Sequence, residues 1–227
     1  MKGNDRPKPT RATYGGKPKV RLEGELEHLL KRNGIDPEST ASIQMKQYLW
    51  LLEKWNRRVN LTASTDWLTL GPLCQEAIWA CQFYPSAARS LLDIGSGAGF
   101  PAIPMKIIIP EIHLEMVESN GKKAAFLETV ISQIGLSNTE VHHRRLQEHL
   151  KSTDRRWGCV SWKGLKLGSK EISQLCEHAH AGTQFWMFHG REAAVEDPEI
   201  LERHFRLLRR EKCVGRENWW LSIYGLR

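Results

Sequence analysis

Apolar positions along the chain fall first into helical spacing and then into short runs broken by turns. From about Leu22, residues Leu22, Leu26, Leu29 and Leu30 share one helical face, and the pattern stops at Asn33-Gly34. A longer helix is expected over about 38–58, with Ile43, Leu49, Leu52 and Trp55 as its apolar positions, until Asn60-Leu61-Thr62 breaks it. A third helix is expected over about 70–84. These three make a helical cap at residues 22–86.

From Leu91 onward strands and helices alternate, the pattern of a doubly wound, mostly parallel sheet, and this α/β domain is assigned to residues 87–227. After the strand that opens it, a helix is expected from near Gly99–Pro104 to Ile109, a strand over 112–117, a helix over 121–134 and a strand over 139–142. Then come a strand at 158–161, a helix at 169–179, a strand at 184–188 and a charged helix at 192–202. Segments 205–212 and 218–224 read as a closing antiparallel pair.

The first strand ends in Asp93-Ile94-Gly95-Ser96-Gly97-Ala98-Gly99-Phe100, a strand turning into a glycine-rich loop ahead of a helix. Gly95, Gly97 and Gly99 let the main chain approach a ligand closely, and a helix start offers free N–H groups. Glu118 ends the next apolar run, 19 residues after Gly99. That is the spacing at which an acid at the tip of the second strand accepts hydrogen bonds from ribose hydroxyls. A dinucleotide loop would have its third glycine one position later and would hold a pyrophosphate. Asp93 at the head of this loop would repel a pyrophosphate but suits the ammonium and sulfonium of S-adenosylmethionine, so a methyl donor is expected.

With 227 residues and 41% hydrophobic content the chain can bury a substantial core. It has no apolar run long enough for a membrane span and no apolar N-terminal stretch of a secretory signal. Five scattered cysteines without a Cys-x-x-Cys pair fit reduced thiols, a cytoplasmic location and no zinc site. The net charge of +7 is lopsided: residues 1–21 carry seven basic residues against Asp5 alone. This arm is expected to be disordered when free, and both an RNA-scanning and a solubilising role fit its composition.

Around the third strand lies His142-His143-Arg144-Arg145-Leu146-Gln147, where an adenine ring would lie; the Leu146 N–H and the Gln147 side chain are candidates to read its edge. The tandem histidines point to opposite faces of a strand and cannot ligate jointly, so no metal is expected. Arg144 and Arg145 fit either added charge near nucleic acid or a solvated loop. At the end of the fourth strand, Ser161-Trp162-Lys163-Gly164 occupies the place where sheet enzymes present groups to an acceptor. Trp162 is the candidate stacking platform for a base, with core filling as the rival reading, and Lys163 the candidate contact to phosphate or guanine.

Several motifs together resemble the RsmG/GidB family of bacterial small-subunit ribosomal RNA guanine-N7 methyltransferases. They are Lys54-Trp55-Asn56 with Asn60-Leu61-Thr62, Leu92 through Pro101, Ile103-Pro104, and Glu118-Ser119-Asn120-Gly121-Lys122-Lys123 with Phe126-Leu127. The resemblance implies a class I S-adenosylmethionine-dependent methyltransferase fold: a Rossmann-like seven-stranded sheet, antiparallel at its last strand, behind a helical cap. It also implies S-adenosylmethionine as donor and guanine N7 of 16S rRNA, free or in the small subunit, as acceptor. Matched residue by residue, Gly95 and Phe100 line the cofactor, Glu118 binds ribose, and Leu146 with Gln147 form the adenine-side pair. Three segments depart from the family pattern: Gln147 stands where Glu is usual, Gly71 to Ala77 replaces Arg-His-x-x-Asp-Ser, and Ser161-Trp162-Lys163 replaces Ser-Arg-Ala.

Guanine N7 carries an in-plane lone pair and no proton, so its methylation needs alignment rather than a general base, in keeping with a chain that shows no Asp-His or Ser-His pair. A monomer without membrane contact is expected. The altered acceptor motifs leave two alternatives: a same-fold methyltransferase acting on another RNA position or a small molecule, and a non-catalytic rRNA-binding protein with a vestigial pocket.

Overall fold

A computed structural model describes residues 20–190 and 198–227. The basic arm up to residue 19, and most of the charged helix expected over 192–202, lie outside the described residues. The cap consists of α1 (Val20–Arg32), α2 (Thr40–Asn56) and α3 (Trp67–Cys81). Ser39 starts α2 by accepting a hydrogen bond from the Ser42 N–H at 3.2 Å. Asp66 likewise caps α3 through the Thr69 N–H at 2.9 Å, so this helix begins three residues earlier than the apolar spacing suggests and carries Pro72 in its interior. The stripe on α2 keeps the expected Leu49 and Leu52 but is rotated: Ile43 is about half exposed, and Met45 and Tyr48 are buried.

The sheet domain runs β1 (Ser90–Ile94), α4 (Ala102–Ile108), β2 (His113–Glu118), α5 (Gly121–Ile134), β3 (Thr139–His143) and α6 (Leu146–Lys151). It continues with β4 (Cys159–Lys163), α7 (Ser169–Glu177), β5 (Gln184–His189), α8 (Pro198–His204), β6 (Phe205–Lys212) and β7 (Trp220–Leu226). The seven strands lie in the order β3-β2-β1-β4-β5-β7-β6, with β7 antiparallel to both of its neighbours. α6 has no counterpart among the expected helices. α5 matches expectation to the residue, because Asn120 caps its start and Gly135, at φ +70°, takes the left-handed conformation that ends it.

Two buried clusters flank the sheet. One joins the cap to one face: Leu26, Tyr48 and Leu70 share a core with Leu91, Met116 and Phe126. The other lies on the opposite face and contains Leu92, Ile94, Val117, Trp162 and Phe185 with residues of α6 and α7. Strand alternation assigns the faces, so in β4 Cys159 lies with the first cluster while Val160 and Trp162 lie with the second. No helix among the described residues is long and apolar enough to cross a membrane.

Candidate functional site

The chain reverses its strand order between β1 and β4, and in open α/β sheets ligands bind where the strand ends diverge at such a point. Here the loop after β1 is held by Glu118 and Tyr48. Glu118, buried at the end of β2, accepts the Gly97 N–H through Oε2 and the Asn120 N–H through Oε1, each at 2.8 Å. From the cap, the buried Tyr48 hydroxyl donates to the Ala98 carbonyl at 2.7 Å, and its ring lies 5.3 Å from that of Phe100. At Gly99, φ is +93° and an added Cβ would stand 2.6 Å from Ile103 Cγ1, so only glycine fits.

Asp93 is buried beneath this loop. Its Oδ1 accepts the Ser161 hydroxyl at 2.7 Å, while Oδ2 has no partner among the described residues. Burial pushes its pKa up to about 6 from 3.8, against the opposing hydrogen bond from Ser161. A buried carboxylate with a spare oxygen is an acceptor held ready for a cationic group.

Beside the loop opens a cleft of about 370 Å³ whose walls include Gly95, Ser119, Leu146, Gln147, Leu165 and Glu171. It therefore gathers Gly95 with Leu146 and Gln147, as expected from the sequence, from the ends of β1 and the start of α6. Gln147 donates through Nε2 to Glu171 of α7, so a carboxylate does reach this wall, from a helix that the chain order does not place beside it. Asp93, Gly97, Gly99, Phe100 and Glu118 shape and support the loop rather than the cleft wall itself.

The acceptor-side expectations need correction. The sequence ends the fourth strand at Ser161, whereas β4 continues to Lys163, so alternation turns Trp162 into the core. Its indole is fully buried among the second cluster and offers no face to a base. The Lys163 ammonium is paired with the buried carboxylate of Glu76, so it is not a free charge awaiting phosphate or guanine. Arg216, from the β6–β7 connection, bonds the other Glu76 oxygen at 2.9 Å and lies over the Trp219 ring at 4.2 Å. Glu76, Arg216 and Trp219 went unnoticed in sequence because only folding brings α3, β4 and this connection together. Glu76 does lie within the segment that departs from the family pattern.

A second surface feature lies where α2 ends and α5 begins. A groove of about 510 Å³ is lined by Lys54, Trp55, Arg57, Arg58, Val59 and Lys122. Next to this groove, Asn56 Oδ1 accepts the Leu61 and Thr62 N–H groups, each at 2.9 Å, which ties the Trp-Asn and Asn-Leu-Thr motifs together.

The tandem histidines do diverge. The His142 Nε2 lies 3.1 Å from Glu115 Oε2 on one face, while the His143 ring packs beside Gly121 on the other.

A sequence profile described as rRNA small subunit methyltransferase G matches residues 41–208. Ribosomal RNA small subunit methyltransferase G of Staphylococcus epidermidis is 34% identical over 161 residues, covering 66% of this chain and 64% of that protein. The protein of the same name from an Exiguobacterium species is 31% identical over 140 residues, 57% of this chain and 56% of its own length. The matched stretch thus spans between half and two thirds of these relatives. Among solved structures, mitomycin 7-O-methyltransferase MmcR superposes with a TM-score of 0.58 at 12% identity, covering 91% of this chain and 68% of that one. The glycopeptide N-methyltransferase MtfA, solved with S-adenosyl-L-methionine, gives 0.55 at 12% identity over 68% of this chain and 94% of that one. At such identities the likeness concerns the fold, a class I methyltransferase sheet.

Proposed function

Because the chain belongs to the rRNA small subunit methyltransferase G family, we propose that it transfers the methyl group of S-adenosylmethionine to N7 of a guanine in 16S rRNA. The observation that carries this reading is the pair of buried carboxylates around the glycine loop, Asp93 with an unpartnered oxygen and Glu118 at the tip of β2. They fit the methyl donor better than a dinucleotide, since a spare buried carboxylate attracts a sulfonium or ammonium and repels a pyrophosphate.

In this reading Gly95 permits close approach of the main chain, and Glu118 accepts from ribose hydroxyls while it fixes Gly97. Leu146 with the Gln147–Glu171 pair bounds the adenine side. When bound, S-adenosylmethionine supplies an electrophilic methyl group on a sulfonium sulfur. The attacking N7 lone pair carries no proton, so the protein's task is orientation and exclusion of water, for which holding the partners in line supplies about 7–11 kcal/mol. The groove of Lys54, Arg57, Arg58 and Lys122 around Trp55 has the charge and the ring to track an RNA backbone.

Nucleoside mass spectrometry of 16S rRNA from a deletion strain tests the assignment. We expect one N7-methylguanosine to disappear and to return on complementation; an unchanged level would overturn it. The Glu76–Lys163–Arg216 assembly, standing where the resemblance implies an arginine, favours one second reading, a methyltransferase of this fold with a shifted acceptor. Loss of a different modified nucleoside in the same measurement would select it.

A further inference from the structure

On the face of the sheet away from the cap, three elements converge on one carboxylate. Glu115 of β2 is buried, and its Oε1 is taken by the Arg155 guanidinium at 2.7 Å and the Trp157 indole N–H at 2.9 Å. These two donors fix the carboxylate and leave Oε2 facing two imidazoles. His142 Nε2 of β3 stands 3.1 Å from Oε2 and His149 Nε2 of α6 stands 3.6 Å from it. The three ligand atoms lie within 4.8 Å of one another.

His149 is the informative member. Its side chain is 97% buried by the 3% exposure it retains, yet neither Nδ1 nor Nε2 has a hydrogen-bond partner among the described residues. A buried imidazole with both nitrogens unsatisfied carries a desolvation cost that folded proteins normally avoid. The neighbouring ionisable groups are Arg155, half exposed and on the opposite oxygen, His113 and Glu140 at the rim, and Arg144 and His178 near His149.

We propose that Glu115, His142 and His149 form a binding site for a divalent transition metal ion, zinc being the best fit. Two imidazoles and one carboxylate are an established donor set for tetrahedral zinc, with the fourth position open to water. Bonds of about 2.0–2.2 Å in that geometry separate ligand atoms by about 3.3–3.6 Å, and the two separations at Oε2, 3.1 and 3.6 Å, lie close to that range. His142, part-exposed, opens the path from solvent, while Arg155 and Trp157 orient the carboxylate from behind. An ion here would tie α6, which carries Leu146 and Gln147 of the cleft, to β2 and β3. The sequence argues against any metal, since adjacent strand residues cannot ligate jointly and no convergent set shows in the chain order; the proposed ligands come from positions 115, 142 and 149, which only the fold brings together.

The test uses the full chain, stripped with a chelator and then equilibrated with Zn²⁺ alone. We expect one zinc per chain by elemental mass spectrometry and a raised melting temperature. With Co²⁺ we expect the visible d–d absorption of a four-coordinate nitrogen and oxygen site, without thiolate charge-transfer bands. His142→Gln should weaken binding by about tenfold or more and abolish the thermal shift, with its circular dichroism unchanged. His149→Gln should do the same, and if it fails to fold the part-exposed His142 variant decides. No retained zinc, zinc retained equally by His142→Gln, or thiolate bands that place the ion on cysteines would each overturn the site.

Discussion

Asp93→Asn isolates the ionisation at the heart of the glycine loop. In the unfolded chain this carboxyl ionises near its ordinary 3.8, whereas in the folded protein burial delays ionisation to about 6. Between those values the folded state holds the extra proton, so its contribution to stability is fully present below about 3.8 and is lost as pH rises to about 6. Above that both states are ionised and the deficit stays constant. A shift of about two pH units, at 1.36 kcal/mol each, makes the deficit about 3 kcal/mol, and full burial leaves little solvent screening to discount it. The amide keeps an oxygen for the Ser161 hydroxyl and carries no charge, so the variant should be more stable than wild type by about 1–3 kcal/mol at pH 7.5 and equal to it at pH 4. Urea unfolding followed by circular dichroism at several pH values reads this difference directly. The same variant should lose most of its affinity for S-adenosylmethionine in calorimetry, while wild-type affinity should rise as pH passes upward through about 6. Parallel stability profiles for the two proteins, or a less stable variant at pH 7.5, would refute the reasoning.

Gly99→Ala forces a side chain onto a left-handed backbone position and against Ile103, so a loss of at least about 2 kcal/mol in urea unfolding is expected. Glu118→Ala removes the acceptor for the Gly97 and Asn120 N–H groups and should weaken S-adenosylmethionine binding about tenfold or more by calorimetry. Glu76→Ala strands the Lys163 and Arg216 charges and should cost about 3–5 kcal/mol, whereas Glu76→Leu combined with Lys163→Met should recover most of it. If the groove at the end of α2 follows an RNA backbone, Arg58→Ala with Lys122→Ala should lower the slope of log affinity against log salt by about 1.5–2.

The parts of the site legible in the sequence are those made by neighbours in the chain. Asp93, the three glycines and Glu118 were found by spacing because a strand, a tight turn and a helix impose local rules on residue type. Trp162 is core for an equally local reason: β4 runs two residues further than the sequence suggests, which makes Trp162 a strand residue on the same face as Val160 rather than a loop residue at the cleft. Tyr48 and Glu171 carried no signal, since a tyrosine on an apolar helix face and a glutamate on a charged one are ordinary until the fold sets them against the glycine loop and Gln147.

By itself the sequence determined the alternation of strands and helices, the helical cap and the loop chemistry that points to a methyl donor, because periodicity and glycine spacing act over a few residues. Tertiary structure alone decided which charges are already spent and which groups are left wanting. Lys163 meets Glu76 across 87 positions and so loses its freedom, while Glu115, His142 and His149 meet across β2, β3 and α6. The physical reason is that desolvation and pairing depend on what packs against a side chain, and packing partners are chosen by the fold rather than by proximity along the chain.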